Sequence, residues 1–407
     1  MSWIACTLDD ICDKVDGHIQ TGPFGSQLHQ SDYSKVGTPV VMPKDIVNGT
    51  ISEEGIARVS EEHVLRLSRH KVRTGDILFS RRGDVGRCAY ISPKEQGWLC
   101  GTGCLRVTVD AKVADSKFIF YYLQQASAID WIEKHAIGAT MLNLNTGILA
   151  TVPIMLPSLP TQRRIASILS AYDDLIENNR RQIKLLEEAA QRLYREWFVE
   201  LRFPGHEGVK VMDGVPEGWM KGTVDNIVKL LSGYPFKSSE YVSSGKYRLI
   251  TIKNVKDGEF SPDNVDYIDQ LPDKVPSHCI LTEGDILLSL TGNIGRVCIV
   301  NGYNYLLNQR VAKLQTLHPA YAYCMFRSKE MLNKMTALSN GVAQQNLSPI
   351  RAEKIRILIP SSNLLFQFKN IVEPIISQII LLNNQITFAC EARDRLLPEL
   401  MDGEIEV

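Results

Sequence analysis

Arginines are the residues in this chain best suited to chemistry. Arg66, Arg69, His70, Lys71 and Arg73 lead into a Gly75-Asp76 pair, and Arg81-Arg82 stand just ahead of Gly83 and Gly86. A guanidinium donates two parallel hydrogen bonds from a planar fork, which matches a phosphate or the O6/N7 edge of guanine. Lys44 and the Lys253-Asn254 pair occupy matching positions further along, as do Thr291 and Asn293 against Arg82 and Asp84. Gln344 and Gln345, followed by Asn346, supply amides of the kind that read adenine edges. Each candidate has a plainer reading. Glu61 and Glu62 beside the first group would make an ordinary solvated face, and the amides would cap loops. Gly101-Thr102-Gly103 reads as a turn, and Phe24 and Phe236 read as core anchors rather than base-stacking residues.

The usual catalytic constellations are missing from the sequence. It has no Gly-x-x-x-x-Gly-Lys-[Ser/Thr] loop, no Gly-x-Gly-x-x-Gly, no Gly-x-Ser-x-Gly elbow and no His-Glu-x-x-His pair. The Asn/Asp-Pro-Pro-aromatic motif of amino-methyltransferases is also missing. Neither Pro262-Asp263 nor Pro272-Asp273 continues into an acidic-x-Lys nuclease centre. Cys100 and Cys104 form the one close thiol pair, with no second pair or histidine cluster to complete a metal site. The expectation is therefore no catalytic residue, no metal and no cofactor on this chain. Nine cysteines without a Cys-x-x-Cys pair suit free thiols in a reducing compartment, so a cytoplasmic location is expected. No run approaches the roughly 18 apolar residues of a membrane span, and the N-terminus has no basic-then-apolar signal. A net charge of −1 gives no global pull on nucleic acid, so DNA binding must rest on local patches or on basic partners.

The elements that position these residues occur twice. Gly75-Asp76-Ile77-Leu78-Phe79-Ser80 and Gly83-Asp84-Val85-Gly86-Arg87 are matched, 209 residues later, by Gly284-Asp285-Ile286-Leu287-Leu288-Ser289 and Gly292-Asn293-Ile294-Gly295-Arg296. Gly138, Asn143-Leu144 and Pro157 match Gly341, Asn346-Leu347 and Pro360 at an offset of 203. A repeat this long is a duplicated domain rather than a solenoid unit. Alternating apolar runs such as Pro39–Met42 and Tyr247–Ile252 read as half-buried strands. Asn48-Gly49 and Asp257-Gly258 after them read as hairpin turns. Helical character returns near Phe118–Lys134 and Tyr321–Met335. The fold class is mixed α/β: two duplicated, strand-rich domains at 1–160 and 216–360.

A different pattern ends each copy. Apolar residues alternate at spacings of four and three through Ile165, Leu169, Tyr172, Ile176, Asn179, Ile183 and Leu186. The second copy repeats it with Phe368, Val372, Ile375, Ile379, Leu382 and Ile386. Such spacing is the seam of a coiled coil. Asn179 and, later, Arg393 are the members out of character, and a buried Asn penalises wrong registers. The spacer helices are expected at 161–202 and 361–403, with Pro374 kinking the second or delaying its start. The roughly 37 unbroken helical residues from Thr161 to about Phe198 make a rod of about 55 Å. The linker 203–215 reaches at most about 45 Å, too short to return along the rod. The helices should then run antiparallel, separating the two domains about a pseudo-twofold axis. Leu175, Leu185 and Ala189 add apolar surface beside the seam, room for a further helical partner.

The chain resembles the DNA-specificity subunit of type I restriction-modification systems. The resemblance rests on the duplicated Gly-Asp-Ile-Leu-x-Ser and Gly-x-x-Gly-Arg motifs, and on Pro157 and Pro360 ahead of the helices. Val215-Pro216-Glu217-Gly218-Trp219 and Leu396-Leu397-Pro398-Glu399-Leu400-Met401 complete the ordered set. It implies two target-recognition domains, each reading part of a split double-stranded DNA site, with the paired helices as spacer. It also implies two methyltransferase subunits that carry S-adenosylmethionine, plus restriction/translocase subunits, and no membrane. The alternatives are a stand-alone DNA-binding or scaffold protein of the same duplicated build, or an enzyme with an unfamiliar site.

Overall fold

A computed structural model describes residues 3–12, 19–138, 140–339 and 346–407. The chain forms two compact units, Met1–Asp174 with Cys390–Val407, and Leu175–Ala389. The division falls inside both spacer helices.

Two four-stranded sheets make up the first unit's domain. One carries strands in the order Ile19–Thr21, Cys104–Val107, Ile77–Ser80, Cys88–Tyr90, all antiparallel. The other runs Leu99–Cys100, Thr38–Val41, Ala57–Val59, Tyr33–Ser34, with one parallel pairing, Leu99 beside Val40. The second unit repeats the first of these sheets strand for strand and keeps the parallel pair of the other, there in the centre of the sheet. Val228–Ser232, Val311–Thr316, Ile286–Ser289 and Val297–Ile299 form one sheet, and Tyr267–Ile268, Tyr247–Ile250, Tyr305–Leu307 and Ile280–Leu281 the other. Its parallel pairing is Leu249 beside Leu306. In each unit a two-stranded ribbon closes the domain immediately before its helix: Ile4–Thr7 with Pro153–Leu156, and Met220–Thr223 with Arg356–Ile359.

The motif that reveals the repeat is scaffold. Ile77, Leu78 and Phe79 are fully buried, so this strand is apolar on both faces rather than alternating. The aspartate before it fastens the turn. The Arg73 amide donates to Asp76 Oδ2 at 2.8 Å, and the Thr282 amide donates to Asp285 Oδ2 at the same distance. Each aspartate also faces a cation on the adjacent strand, Arg106 in one domain and Lys313 in the other. Burial pushes the Asp76 carboxyl up. The Gly-x-x-Gly loop has a packing cause at its second glycine. A Cβ on Gly86 would lie 2.7 Å from Ile129 Cγ2, and one on Gly295 would lie 2.5 Å from Leu332 Cδ1. The expected Asn48-Gly49 turn is a hairpin tip with both residues at positive φ, 48° and 78°.

Long helices span Leu159–Tyr194, continued by a π-turn to Val199, and Ser362–Met401. The first begins two residues ahead of the expected start. Pro374 does not delay the second, which is helical from Ser362 onward through the proline. Within the first unit, Ile165, Ala166 and Leu169 share a core with Leu400 and Met401. Within the second, Ala190 and Tyr194 share one with Leu364, Leu365, Phe368 and Val372. In each unit the start of one helix meets the end of the other, so the pairing is antiparallel. Of the expected seam, Ile165, Leu169, Ile176, Phe368, Val372, Ile379 and Leu382 are buried, while Tyr172, Ile183, Leu186, Ile375 and Ile386 are half-buried. The polar members have partners on the opposite helix. Asn179 Nδ2 donates to Gln385 Oε1 at 3.1 Å, and Arg393 Nη1 donates to Asp173 Oδ1 at 2.6 Å.

One sequence expectation needs correction. The helix Ser362–Met401 is, by length and composition, long and apolar enough to cross a membrane, with a mean hydropathy of 1.3 over its most apolar stretch. Its pairing accounts for part of that apolarity. The remainder is exposed, since only 28% of that stretch is buried, and Phe366, Ile371, Leu381 and Phe388 face outward. Leu175 and Leu185 of the first helix are likewise exposed.

Candidate nucleic-acid interface

The interface candidates lie on turns that the two sheets of each domain hold in place. In the first domain, Gly101-Thr102-Gly103 connects strand Leu99–Cys100 of one sheet to Cys104–Val107 of the other. Its backbone is fixed on three sides. The Gly101 amide donates to Val41 O at 2.9 Å, the Gly22 amide to Cys104 O at 2.9 Å, and the Arg81 amide to Gly103 O at 2.8 Å. In the second domain Asn308-Gln309-Arg310 makes the same connection. Asn308 donates to Ile250 O at 3.0 Å, Gly233 to Val311 O at 3.0 Å, and Leu290 to Arg310 O at 2.9 Å. The duplication thus extends to individual hydrogen bonds, while the side chains at the tips differ.

A second loop joins each turn. The Leu144 amide donates to Arg81 O at 2.8 Å and the Gly83 amide to Leu142 O at 3.0 Å. In the second domain the Leu347 amide donates to Leu290 O at 2.8 Å, and Thr291 Oγ1 donates to Asn346 Oδ1 at 3.0 Å. Arg81 and Arg82 are therefore brought beside Leu142–Leu144, as Thr291 is brought beside Asn346. Gln344 and Gln345 lie outside the described residues.

The remaining candidates separate by what holds them. Arg82 is exposed and Arg81 half-buried, with its Nε enclosed and without a hydrogen-bond partner among the described residues. Lys253 is exposed on the rim of a groove of about 390 Å³ lined also by Thr251, Asn264, Gln309 and Arg310. Asn254 is buried and its amide is spent inside the domain. It accepts from the Thr251 amide at 2.9 Å and donates to Ser261 O and Asp263 O. It fastens the loop that carries Lys253. Asn293, with its amide oxygen turned toward Arg296, accepts from Nη1 at 3.2 Å. Lys44 Nζ donates to Gly55 O, and Arg69 Nε donates to His70 Nε2 at 3.1 Å. The Lys71 carbonyl accepts from Arg106. The side chains of Lys44 and Arg69 are thus engaged locally, whereas Lys71 is held through its backbone carbonyl alone.

Two features were not legible in the sequence. Phe24, expected as a core anchor like the buried Phe236, is 54% exposed. The preceding Pro23 carbonyl accepts from Thr102 Oγ1 at 2.9 Å, which puts Phe24 next to the first domain's turn. Gln309 and Arg310 belong to no motif of the sequence. They line the 390 Å³ groove and a neighbouring one formed with Ser232, Leu290 and Asn346, so they join the two places where second-domain candidates lie. The signal was available: an offset of 207 lays them over Thr102-Gly103, which reads as an unremarkable turn.

Catalytic alternatives gain nothing from the geometry. Cys100 and Cys104 point into an apolar core with Val41, Ile46 and Leu78. Burial pushes the Cys100 thiol up to about 12. Among the described residues no group of three or more His, Cys, Asp or Glu side chains is placed to hold a metal ion.

Comparison with known proteins agrees with this architecture. The family model for the type I restriction modification DNA specificity domain matches residues 2–188 and again 216–387. The specificity subunit of the type I restriction enzyme MjaIX from Methanocaldococcus jannaschii is 26% identical over 383 residues, covering 91% of this chain and 87% of that protein. The HindI specificity subunit from Haemophilus influenzae is 21% identical, covering 83% and 88%. Among solved structures, the type I restriction-modification S subunit from M. genitalium superimposes with a TM-score of 0.60 at 18% identity, over 98% of this chain and 96% of that one. With the family's own model matched once on each copy of the repeat, the chain belongs to the type I restriction-modification DNA-specificity family.

Proposed function

We propose that this chain is the non-catalytic DNA-reading subunit of a type I restriction-modification complex, with each domain reading one half of a split site. The observation that carries this reading is the pair of turn systems with matching backbone hydrogen bonds and different tips. Arg81-Arg82 and Gly101-Thr102-Gly103 in one domain stand where Leu290-Thr291 and Asn308-Gln309-Arg310 stand in the other. One scaffold with two sets of side chains suits two different half-sites. DNA contacts are assigned to Arg81, Arg82, Lys253 and the 138–145 loop with its second-domain counterpart.

Double-stranded DNA is then the ligand, and the adenine chemistry belongs to two methyltransferase subunits that carry S-adenosylmethionine. The exposed apolar residues Leu175, Leu185, Leu381 and Phe388 are surface for those subunits to cover, because isolated soluble chains rarely leave such residues grouped on a helix pair. Restriction/translocase subunits complete the nuclease form, and the complex works in the cytoplasm. The near-neutral charge fits a reader whose phosphate grip is shared with partners. The spacer helices set the number of base pairs between half-sites.

The test is modification-sensitive sequencing of genomic DNA from cells that carry the cognate methyltransferase, with and without this chain. A gapped motif methylated only in its presence is the expected result. An active methyltransferase whose methylation pattern ignores the chain would contradict the reading.

A further inference from the structure

Arg310 adopts a backbone conformation that its side chain disfavours. Its φ is +73°, in the left-handed region, and at the same position in the first domain Gly103 has φ +87°. Among the described residues, three of the other non-glycine residues at positive φ are asparagines and one is aspartate, types that tolerate the region, leaving Leu201 and Arg310 as the exceptions. The turn cannot relax, because Leu290 bonds to the Arg310 carbonyl, Asn308 to Ile250 and Gly233 to Val311. A glycine would be the undemanding choice here, as in the first domain.

Nothing within the fold offsets that strain. Arg310 is exposed, and its guanidinium has no hydrogen-bond or ion-pair partner among the described residues. The side chain stands at the junction of two grooves, with the amides of Gln309, Asn264 and Asn346 and the ammonium of Lys253 along their walls. Strain held by a rigid frame under a guanidinium that only solvent contacts points to a ligand. The first domain shows a matching exchange. There the backbone neighbour of the turn is Arg81, hydrogen-bonded to Gly103, whereas here Leu290 is hydrogen-bonded to Arg310. Each domain thus carries arginine on one of two adjoining turns, and the two domains use opposite ones.

We infer that Arg310 is a specificity-determining residue that reads a guanine in the half-site of the second domain. This rests on the proposed DNA-reading function. A planar fork on a fixed turn suits the O6/N7 edge of guanine in the major groove, and the flanking groups, the amides of Asn264, Gln309 and Asn346, the Asp266 carboxylate and the single ammonium of Lys253, suit base edges better than a row of phosphate-binding cations would. The first domain, with Gly103 at this place, makes no equivalent contact.

The variant Arg310→Gly restores the first domain's residue and removes the strain, so it should melt no lower than the parent. Arg310→Lys keeps the charge but not the fork. Both are expressed as full chains with the cognate methyltransferase, and methylated sites are sequenced. The expected result is a motif in which one guanine of one half loses its preference over other bases by about tenfold or more, with the other half unchanged. An unaltered motif at undiminished stringency would overturn the inference, as would a parental motif with no guanine in the affected half. Uniformly weaker methylation across all sites, rescued by the lysine variant, would identify a phosphate contact and overturn it too. If the parental chain directs no motif at all, the reading of function fails, and this inference with it.

Discussion

His70 illustrates how the basic cluster of the first domain serves the fold. Its imidazole is buried and Nε2 accepts a hydrogen bond from Arg69, which requires the neutral ring. Burial, reinforced by the charges of Arg69 and Arg106, lowers its pKa to about 4. In the unfolded chain the value returns to about 6.5. Between those limits the unfolded state takes up a proton that the folded state refuses, so stability falls as pH drops from 6.5 toward 4. The melting temperature should therefore decline more steeply over this window in the parent than in His70→Gln, and equal slopes would contradict the assignment. At this scale the sequence was only partly legible. A cluster of Arg, His and Lys looks the same whether it faces DNA or bonds to itself, and only the fold shows Arg69 turned to His70 and Asn254 turned inward. Arg310 was hidden for the converse reason, since a single arginine in a short turn has no pattern until its backbone conformation is known.

The long helices were the most legible elements, because a four-three spacing sustained over several turns admits few other structures. The short strands of two to six residues were less so: their existence could be read from turn signals, but their order across two sheets could not. The polar contacts of the helices were also out of reach. Asn179 finds Gln385, which is not a seam residue, and Glu187 is buried against Tyr323 and Arg327 of the second domain. Burial pushes the Glu187 carboxyl up, while Arg327 opposes the shift. Replacing Glu187 with leucine leaves the Arg327 guanidinium enclosed with Asp257 and the Tyr323 hydroxyl as its remaining partners. That variant should lose about 3 kcal/mol in chemical denaturation. A loss below about 0.5 kcal/mol would show that Asp257 and Tyr323 suffice. Asn179→Leu should act in the opposite direction, raising stability by about 1 kcal/mol while weakening the preference for one register. A destabilised leucine variant would show instead that the Gln385 bond is itself stabilising.

Duplication governs the whole molecule. Two domains share the strand order of one sheet, the parallel pair of the other and the turn hydrogen bonds, and each is followed by a helix whose partner is the other copy's helix. The repeat was visible in sequence through its Gly-Asp strands, which are scaffold, and the positions proposed to read DNA are where the copies diverge. The uncovered apolar residues carry a separate prediction. Leu185→Glu with Phe388→Glu should leave the chain folded and less prone to aggregate, yet abolish co-purification with the methyltransferase; undiminished association would place the docking surface elsewhere. The central claim, that each domain reads its own half-site, is tested most directly by exchanging one domain. Residues 216–360 would be replaced by a second copy of residues 3–160, and methylated sites sequenced in cells carrying the methyltransferase. The account predicts a gapped motif whose two halves are now the same sequence in opposite orientation, with the first domain's half unchanged. Retention of the parental second half would contradict it.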